Sequence, residues 1–217
     1  METTNINEQK STKQVYLTEE EKRNGWAVYD GWKYRPDGLG YELFTPEPYD
    51  ENVRPEIEHL EIPRTVNGKP VVSLGEFLFN RCLYPSLKKI TIPDSVENII
   101  LGYGYLAGRS DISISIDPNN PNYVMVGNNL CSKDGKTLFA HIRENKYVEG
   151  KEEFFNVPDG ITALESSCCA GYSGIVIPLS VDYIKPFNST SSVYANVYYK
   201  GTKREWKKIR LHESVKR

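Results

Sequence analysis

The strongest constraint on the fold is a short apolar segment that ends in proline and occurs four times. The copies are LEIPRTV from Leu60, ITIPDSV from Ile90, FNVPDGI from Phe155 and IVIPLSV from Ile175. Each copy has two apolar residues at alternate positions before the proline, a spacing that puts both on one face of a β-strand. Because proline cannot donate to a strand ladder, each copy predicts a strand that ends in a corner.

A second apolar segment follows each corner and predicts a return stretch. Its inner residues in the four copies are Leu74, Ile99, Leu164 and Ile184, the first of them placed after an insertion, NGKPV. A fifth and degenerate unit, ISISIDPNNPNY, begins at Ile112. Once insertions are set aside, the units recur about every 20 to 30 residues, a period typical of leucine-rich coils.

A single unit of this size cannot bury its own apolar face, so neighbouring units must stack. Stacking predicts parallel strands along one side of a solenoid and one continuous apolar column inside it. The column is predicted to contain Ile62, Ile92, Ile116, Val157 and Ile177.

The repeat resembles the BspA-type (Treponema pallidum-type) leucine-rich repeats of bacterial surface proteins. SLKKITIPDSVENI matches the first part of that pattern, and FLFNRC places Phe79 and Cys82 at its aromatic and cysteine positions. In a later copy Leu106 and Arg109 stand at those two positions. The resemblance covers roughly residues 56–209 and implies a right-handed coil stack, with cell-surface adhesion or host contact as its function.

Three further patterns complete the predicted fold. GWAVYDGWKYRPDGLGYELF has alternating aromatic residues around a predicted turn at 36–38, which favours a β-hairpin cap on the first coil. Asp134-Gly135 is a strong hairpin turn signal. Thr202 and Glu205 have capping-box spacing, which predicts a short helix whose Trp206 and Ile209 face the last coil.

The predicted fold class is therefore mainly β: a right-handed, leucine-rich-repeat-like coil stack with a parallel sheet on one face, an N-terminal β cap, an inserted β-hairpin and a short C-terminal helix. A polar N-terminal segment is predicted to be flexible, with at most a short helix over LTEEEKR. The predicted divisions are 1–24 for that segment, 25–56 for the cap, 57–211 for the repeat domain with the hairpin at about 123–153, and 212–217 for a tail.

Charge gives little support for nucleic-acid binding, since the 217 residues carry a formal net charge of −2. Residues 44–61 hold six acids and one base, whereas 200–217 hold eight bases and two acids. This asymmetry fits two solvated ends, or ends that attract each other in neighbouring copies. No apolar run long enough to cross a membrane is present. No signal peptide is visible either. The resemblance implies a cell-surface or secreted location, and a cytoplasmic location is the alternative.

No motif predicts catalysis, a metal site or a cofactor. The three histidines lie outside zinc-binding patterns, and GYSGI around Ser173 lacks the spacing of a nucleophile elbow. The four cysteines form no CxxC pair, so buried free thiols are expected.

The candidate binding residues are those that point away from the buried pair in each strand. Such positions form a ladder of mixed, small polar character with no aromatic cluster. They are His59, Glu61, Lys89, Thr91, Ser113, Ser115, Asn156 and Val176.

The leading hypothesis is a non-catalytic module that binds a protein partner, or else a host or surface glycan, through this sheet face. Three alternatives remain. One is carbohydrate binding by exposed aromatic residues such as Trp32 and Tyr41, whose other interpretation is a capping core. The second is an enzyme with a deep pocket between coils. The third is a surface protein that self-assembles through its charged ends.

Overall fold

A computed structural model describes most of the chain. The described residues are 15–44, 57–75, 77–80, 84–101, 106, 109–143, 152–165, 168, 171–185 and 196–211. The predicted tail, most of the polar N-terminal segment and residues 45–56 of the predicted cap lie outside them.

The described residues form two short helices and eighteen strands. The helices are α1 (Glu19–Arg23) and α2 (Lys203–Trp206). The strands are β1 (Ala27–Tyr29), β2 (Trp32–Asp37), β3 (Gly40–Leu43), β4 (His59–Glu61), β5 (Thr65–Val66), β6 (Lys69–Leu74), β7 (Lys89–Ile92), β8 (Asn98–Ile99), β9 (Ser113–Ile116), β10 (Tyr123–Val126), β11 (Asn129–Ser132), β12 (Thr137–His141), β13 (Phe154–Asn156), β14 (Ala163–Leu164), β15 (Gly174–Ile177), β16 (Tyr183–Ile184), β17 (Asn196–Tyr199) and β18 (Arg210–Leu211). Neither helix has the length and hydropathy to span a bilayer.

The proline-ended segments form two parallel ladders. Strands β4, β7 and β9 make the first ladder. Strands β13 and β15 make the second, together with β17, which has no proline. Leu60 lies opposite Ile90, and Phe155 opposite Ile175, so corresponding residues of the repeats align rung to rung. The strand phase read from the alternating pattern is confirmed.

The return segments form a second set of parallel pairs on the other side of the coils. Strand β6 pairs with β8, and β14 pairs with β16, which in turn pairs with β18. The predicted inner residues Leu74, Ile99, Leu164 and Ile184 are all buried. A stack of coils with strands on one side and returns on the other is a β-solenoid, so the predicted fold class is confirmed.

The N-terminal strands form an antiparallel meander that joins the return side. Strand β3 pairs in parallel with β6, while Trp32, Tyr34 and Tyr41 are 5% exposed or less. These aromatic rings therefore form a capping core. The structure adds a turn at Asp30-Gly31, where both residues have positive φ, the geometry that suits a two-residue hairpin. The turn predicted at 36–38 lies slightly later, because β2 continues to Asp37.

The prediction of one continuous apolar column is wrong. Among the described residues, the buried apolar side chains form two clusters, one containing Ile62 and Ile92 and the other Val157 and Ile177. The cause is the inserted hairpin: β10, β11 and β12 are antiparallel and follow the last strand of the first ladder. The hairpin contributes Leu130 and Ala140 to the first cluster, and Cys131 and Leu138 to the second.

Ile116 is only partly buried in this arrangement. Its strand, β9, pairs with β7, and no strand pairing joins it to β13 in the part of the chain that the structure describes. A residue covered by a neighbouring rung on one side alone keeps some contact with solvent, unlike Ile92 between two rungs.

Both helices begin with a capping box, in which a threonine side chain and a glutamate satisfy each other's backbone donors. Thr18 and Glu21 cap α1, and Thr202 and Glu205 cap α2. Of the two options for the polar N-terminal segment, the short helix is therefore present. At the other end, Trp206 packs against Tyr199 and Ile209 is buried, as the helical spacing predicted.

The described cysteines, Cys131 and Cys168, are buried, and Cys131 is a free thiol, as expected. Cys82 and Cys169 lie outside the described residues. Burial raises the pKa of the Cys131 thiol to about 11, so this thiol is protonated at neutral pH.

We expect Cys131 and Cys168 to resist iodoacetamide at pH 8 in the folded protein and to react readily in urea, because alkylation needs an accessible thiolate. Site-resolved mass spectrometry measures both rates. Equal modification of the two thiols in native and unfolded protein would contradict their placement in the core.

Candidate binding surface

The outward face of the first ladder presents six of the predicted binding residues as a regular grid. His59, Lys89 and Ser113 form one row across β4, β7 and β9, and Glu61, Thr91 and Ser115 form the next. Adjacent strands in such a grid lie about 4.8 Å apart. Five of the six residues are exposed and Thr91 is half-buried, because their neighbours in sequence take the inward positions.

The grid is polar and carries charge of both signs. Glu61 and Lys89 occupy diagonal positions, and the imidazole Nε2 of His59 lies 3.0 Å from the hydroxyl Oγ1 of Thr91. The hydroxyl of Ser113 donates to the backbone carbonyl of Lys88 at 3.3 Å. The two hydroxyls and the imidazole can donate and accept hydrogen bonds, so this face suits a polar partner.

The outward face of the second ladder has a different chemistry. Its two rows are Phe154, Gly174 and Asn196, then Asn156, Val176 and Tyr198. The predicted residues Asn156 and Val176 therefore share one row, on a different ladder from the other six. None of the six positions carries a formal charge.

An aromatic pair crosses this second grid, contrary to the expectation of a face without aromatic clusters. Phe154 and Tyr198 are 37% and 52% exposed, and their ring centroids are 5.4 Å apart in an edge-to-face arrangement. Such pairs are favourable through the ring quadrupoles. The sequence pattern alone predicts that Phe154 faces outward, because Phe154 precedes the buried Phe155 just as Lys89 precedes the buried Ile90.

Gly174 makes the pair possible because the Phe154 ring lies where a side chain at this position would be. A Cβ atom at this position would lie 2.5 Å from the Phe154 ring and 2.8 Å from the Asn196 carbonyl oxygen. Any side chain at Gly174 would therefore displace the ring or the neighbouring backbone.

Trp32 and Tyr41 of the N-terminal cap do not provide a rival surface. Trp32 and Tyr41 are 2% and 5% exposed, so the hypothesis that these two side chains bind carbohydrate is wrong. The acidic segment considered for self-assembly lies largely outside the described residues.

An open depression of about 340 Å³ lies beside β17 and α2 at the C-terminal end. Its lining is Val197, Tyr199, Gly201, Thr202, Lys203 and Trp206, which contains no carboxylate. Within the described residues, no three side chains of the histidine, cysteine, aspartate or glutamate type are grouped as a metal site.

Comparison with protein-family models gives no match, and no curated protein matches the chain. Solved structures do resemble it, at low identity. One is a leucine-rich cell surface protein from Faecalibacterium prausnitzii A2-165, 20% identical, with a TM-score of 0.41 over 88% of this chain and 43% of the other.

A leucine-rich repeat protein from Eubacterium ventriosum is 22% identical, with a TM-score of 0.39 over 65% of this chain and 42% of the other. Another from Bacteroides capillosus is 18% identical, with a TM-score of 0.34 over 81% of this chain and 99% of the other. The chain thus spans less than half the length of the first two. All three are leucine-rich or leucine-rich repeat proteins of bacteria.

Proposed function

We propose that the protein is a non-catalytic interaction or adhesion module that binds a protein partner through the outward face of the first ladder. The observation that carries this proposal is the grid itself, in which six polar side chains stand in strand register on a rigid sheet. A surface whose backbone is fixed by paired strands loses little conformational freedom when a partner binds.

The charge pattern supports a polar and specific contact. Glu61 and Lys89 lie diagonally across the grid, so a partner with charges in the reverse order would be favoured over one with the same order. The proposed location is the cell surface, which rests on the resemblance of the repeat to those of bacterial surface proteins.

Exchanging these two charges tests the proposal. In Glu61→Lys with Lys89→Glu, net charge is unchanged and both side chains remain exposed, so the fold should persist. We expect the immobilised wild-type chain to retain specific proteins from bacterial surface and host extracellular-matrix extracts. The exchanged variant should retain them at least about fivefold less, the effect of roughly 1 kcal/mol.

The matched control exchanges a rung-to-rung ion pair on the return side, Asp182→Arg with Arg210→Asp. This pair is exposed and 3.2 Å apart, and the exchange preserves its attraction. Capture should be unaffected. If the first-ladder variant captures as well as wild type, or if both variants fail equally, the first ladder is not the docking surface.

A further inference from the structure

The aromatic pair of the second ladder is a second exposed surface, separate from the first-ladder grid. Phe154 and Tyr198 are both exposed, and they lie on the same sheet face. The capping and packing roles that account for the buried aromatic residues do not apply to them. Exposed aromatic rings held in a fixed position are typical of a contact site.

We propose that this face binds an uncharged saccharide, whose apolar C–H groups contact the Phe154 and Tyr198 rings. An aromatic ring presents a weakly negative face, which attracts the slightly positive C–H groups on the flat side of a pyranose. A fixed pair of rings therefore offers a saccharide an apolar platform without further rearrangement.

Polar groups suited to a saccharide lie at the remaining corners of the grid. Asn156 and Asn196 are both exposed, and the register places them at opposite corners from the two rings. A primary amide donates and accepts hydrogen bonds at the same time, as does a sugar hydroxyl. Small-ligand sites commonly combine apolar rings with a few polar groups that fix orientation.

The absence of charge favours a neutral ligand over an acidic glycan or a charged peptide. All six outward positions of the second grid are uncharged. Lys200 follows β17, and its ammonium Nζ lies 3.8 Å from the carboxylate Oδ1 of Asp159, which offsets its charge. An acidic ligand would find no cationic partner within the grid.

The size of the patch favours a small ligand over a protein. With 37% and 52% exposure, the two rings offer roughly 200 Å² of apolar surface, below the 300–600 Å² of a typical largest surface patch. One or two sugar rings can cover such an area. Gly174 lets the Phe154 ring lie across β15 against Tyr198, so the two rings form one continuous patch.

The test uses the full chain on an array of neutral oligosaccharides built from hexoses and N-acetylhexosamines, followed by titration of the retained sugars. We expect binding of at least one neutral glycan, and a loss of about fivefold or more in affinity for Phe154→Ala and for Tyr198→Ala. Tyr198→Phe should bind nearly as wild type, since it keeps the ring.

Tyr29→Ala is the matched control, since Tyr29 is 50% exposed on β1, outside both grids. It should leave the affinity unchanged, and all variants should keep the wild-type melting temperature. No retained neutral glycan, or retention that survives loss of both rings, would overturn the proposal.

This site is independent of the proposed protein-docking face. Exchanging Glu61 and Lys89 should leave glycan binding intact, and removing the rings should leave protein capture intact. Loss of protein capture through Phe154→Ala and Tyr198→Ala, without any glycan binding, would assign the aromatic pair to a protein partner instead.

Discussion

Ile92→Asp is expected to unfold the protein. Ile92 is completely buried between the rungs of the first ladder, and an aspartate there would bring a charge into the apolar cluster. We expect a loss of more than about 4 kcal/mol in the free energy of unfolding, comparable to the whole stability of many domains. Urea denaturation followed by circular dichroism measures it.

Thr91→Asp is the matched control, one residue earlier in the same strand. Because neighbouring residues of a strand face opposite sides, this aspartate would stand on the outward grid. The expected costs are repulsion from Glu61 on the adjacent strand and loss of the Thr91 hydroxyl contact with His59, together about 1 kcal/mol. Equal destabilisation by the two substitutions would show that the strand phase is wrong.

Arg109→Met is expected to have the next largest effect, about 3 to 5 kcal/mol in the free energy of unfolding. The Arg109 side chain is 1% exposed, and its Nε donates to the carboxylate Oδ1 of Asp111 at 3.0 Å. Its Nη2 also donates to the backbone carbonyl of Leu87 at 2.6 Å. Methionine fills a similar volume but leaves these acceptors without the charged donor, which is costly where water is excluded.

Arg210→Met provides the comparison, because Arg210 and Asp182 form an exposed ion pair between rungs. Solvent screens that pair, so its removal should change the free energy of unfolding by less than about 1 kcal/mol. Thermal and urea denaturation of both variants measure the difference. If Arg109→Met is as mild as Arg210→Met, the buried hydrogen bonds of Arg109 do not stabilise the fold.

The sequence was sufficient to predict the coils because their determinants are local and repeated. Alternation before proline predicts which strand residues face inward, and the shared period aligns them between units. The same phase placed all six polar side chains of the first grid on the outward face. Short motifs with one dominant geometry, such as the capping box at Thr202, were equally predictable from the sequence.

Other features depend on contacts between residues far apart in sequence. The division into two clusters follows from where the hairpin inserts, which no single unit encodes. Asn120 is fully buried, and its amide donates to the carbonyls of Pro93 and Val96 in the preceding coil. From the local sequence, an asparagine beside a turn is predicted to lie at the surface. Asn120 is buried only because of its contacts with another coil.

The aromatic pair was missed for a related reason. Phe154 could be placed outward from its strand phase, but Tyr198 belongs to a strand that lacks the proline of the other copies. The pair exists only because β15 lies between β13 and β17 and contributes a glycine at that point. A binding site assembled across rungs requires the register as well as the pattern.

The most direct test of the stacked-coil fold is the detection of its rung-to-rung hydrogen bonds by long-range scalar couplings in NMR spectra. The fold predicts couplings from the amide of Ile62 to the carbonyl of Thr91 and from Val157 to Val176, each bond 3.0 Å long. It also predicts one from Asp117 to Ile92. Observation of all three would establish the first ladder and the β13–β15 pairing in the stated register, whereas couplings shifted by one residue, or none between these strands, would contradict the fold.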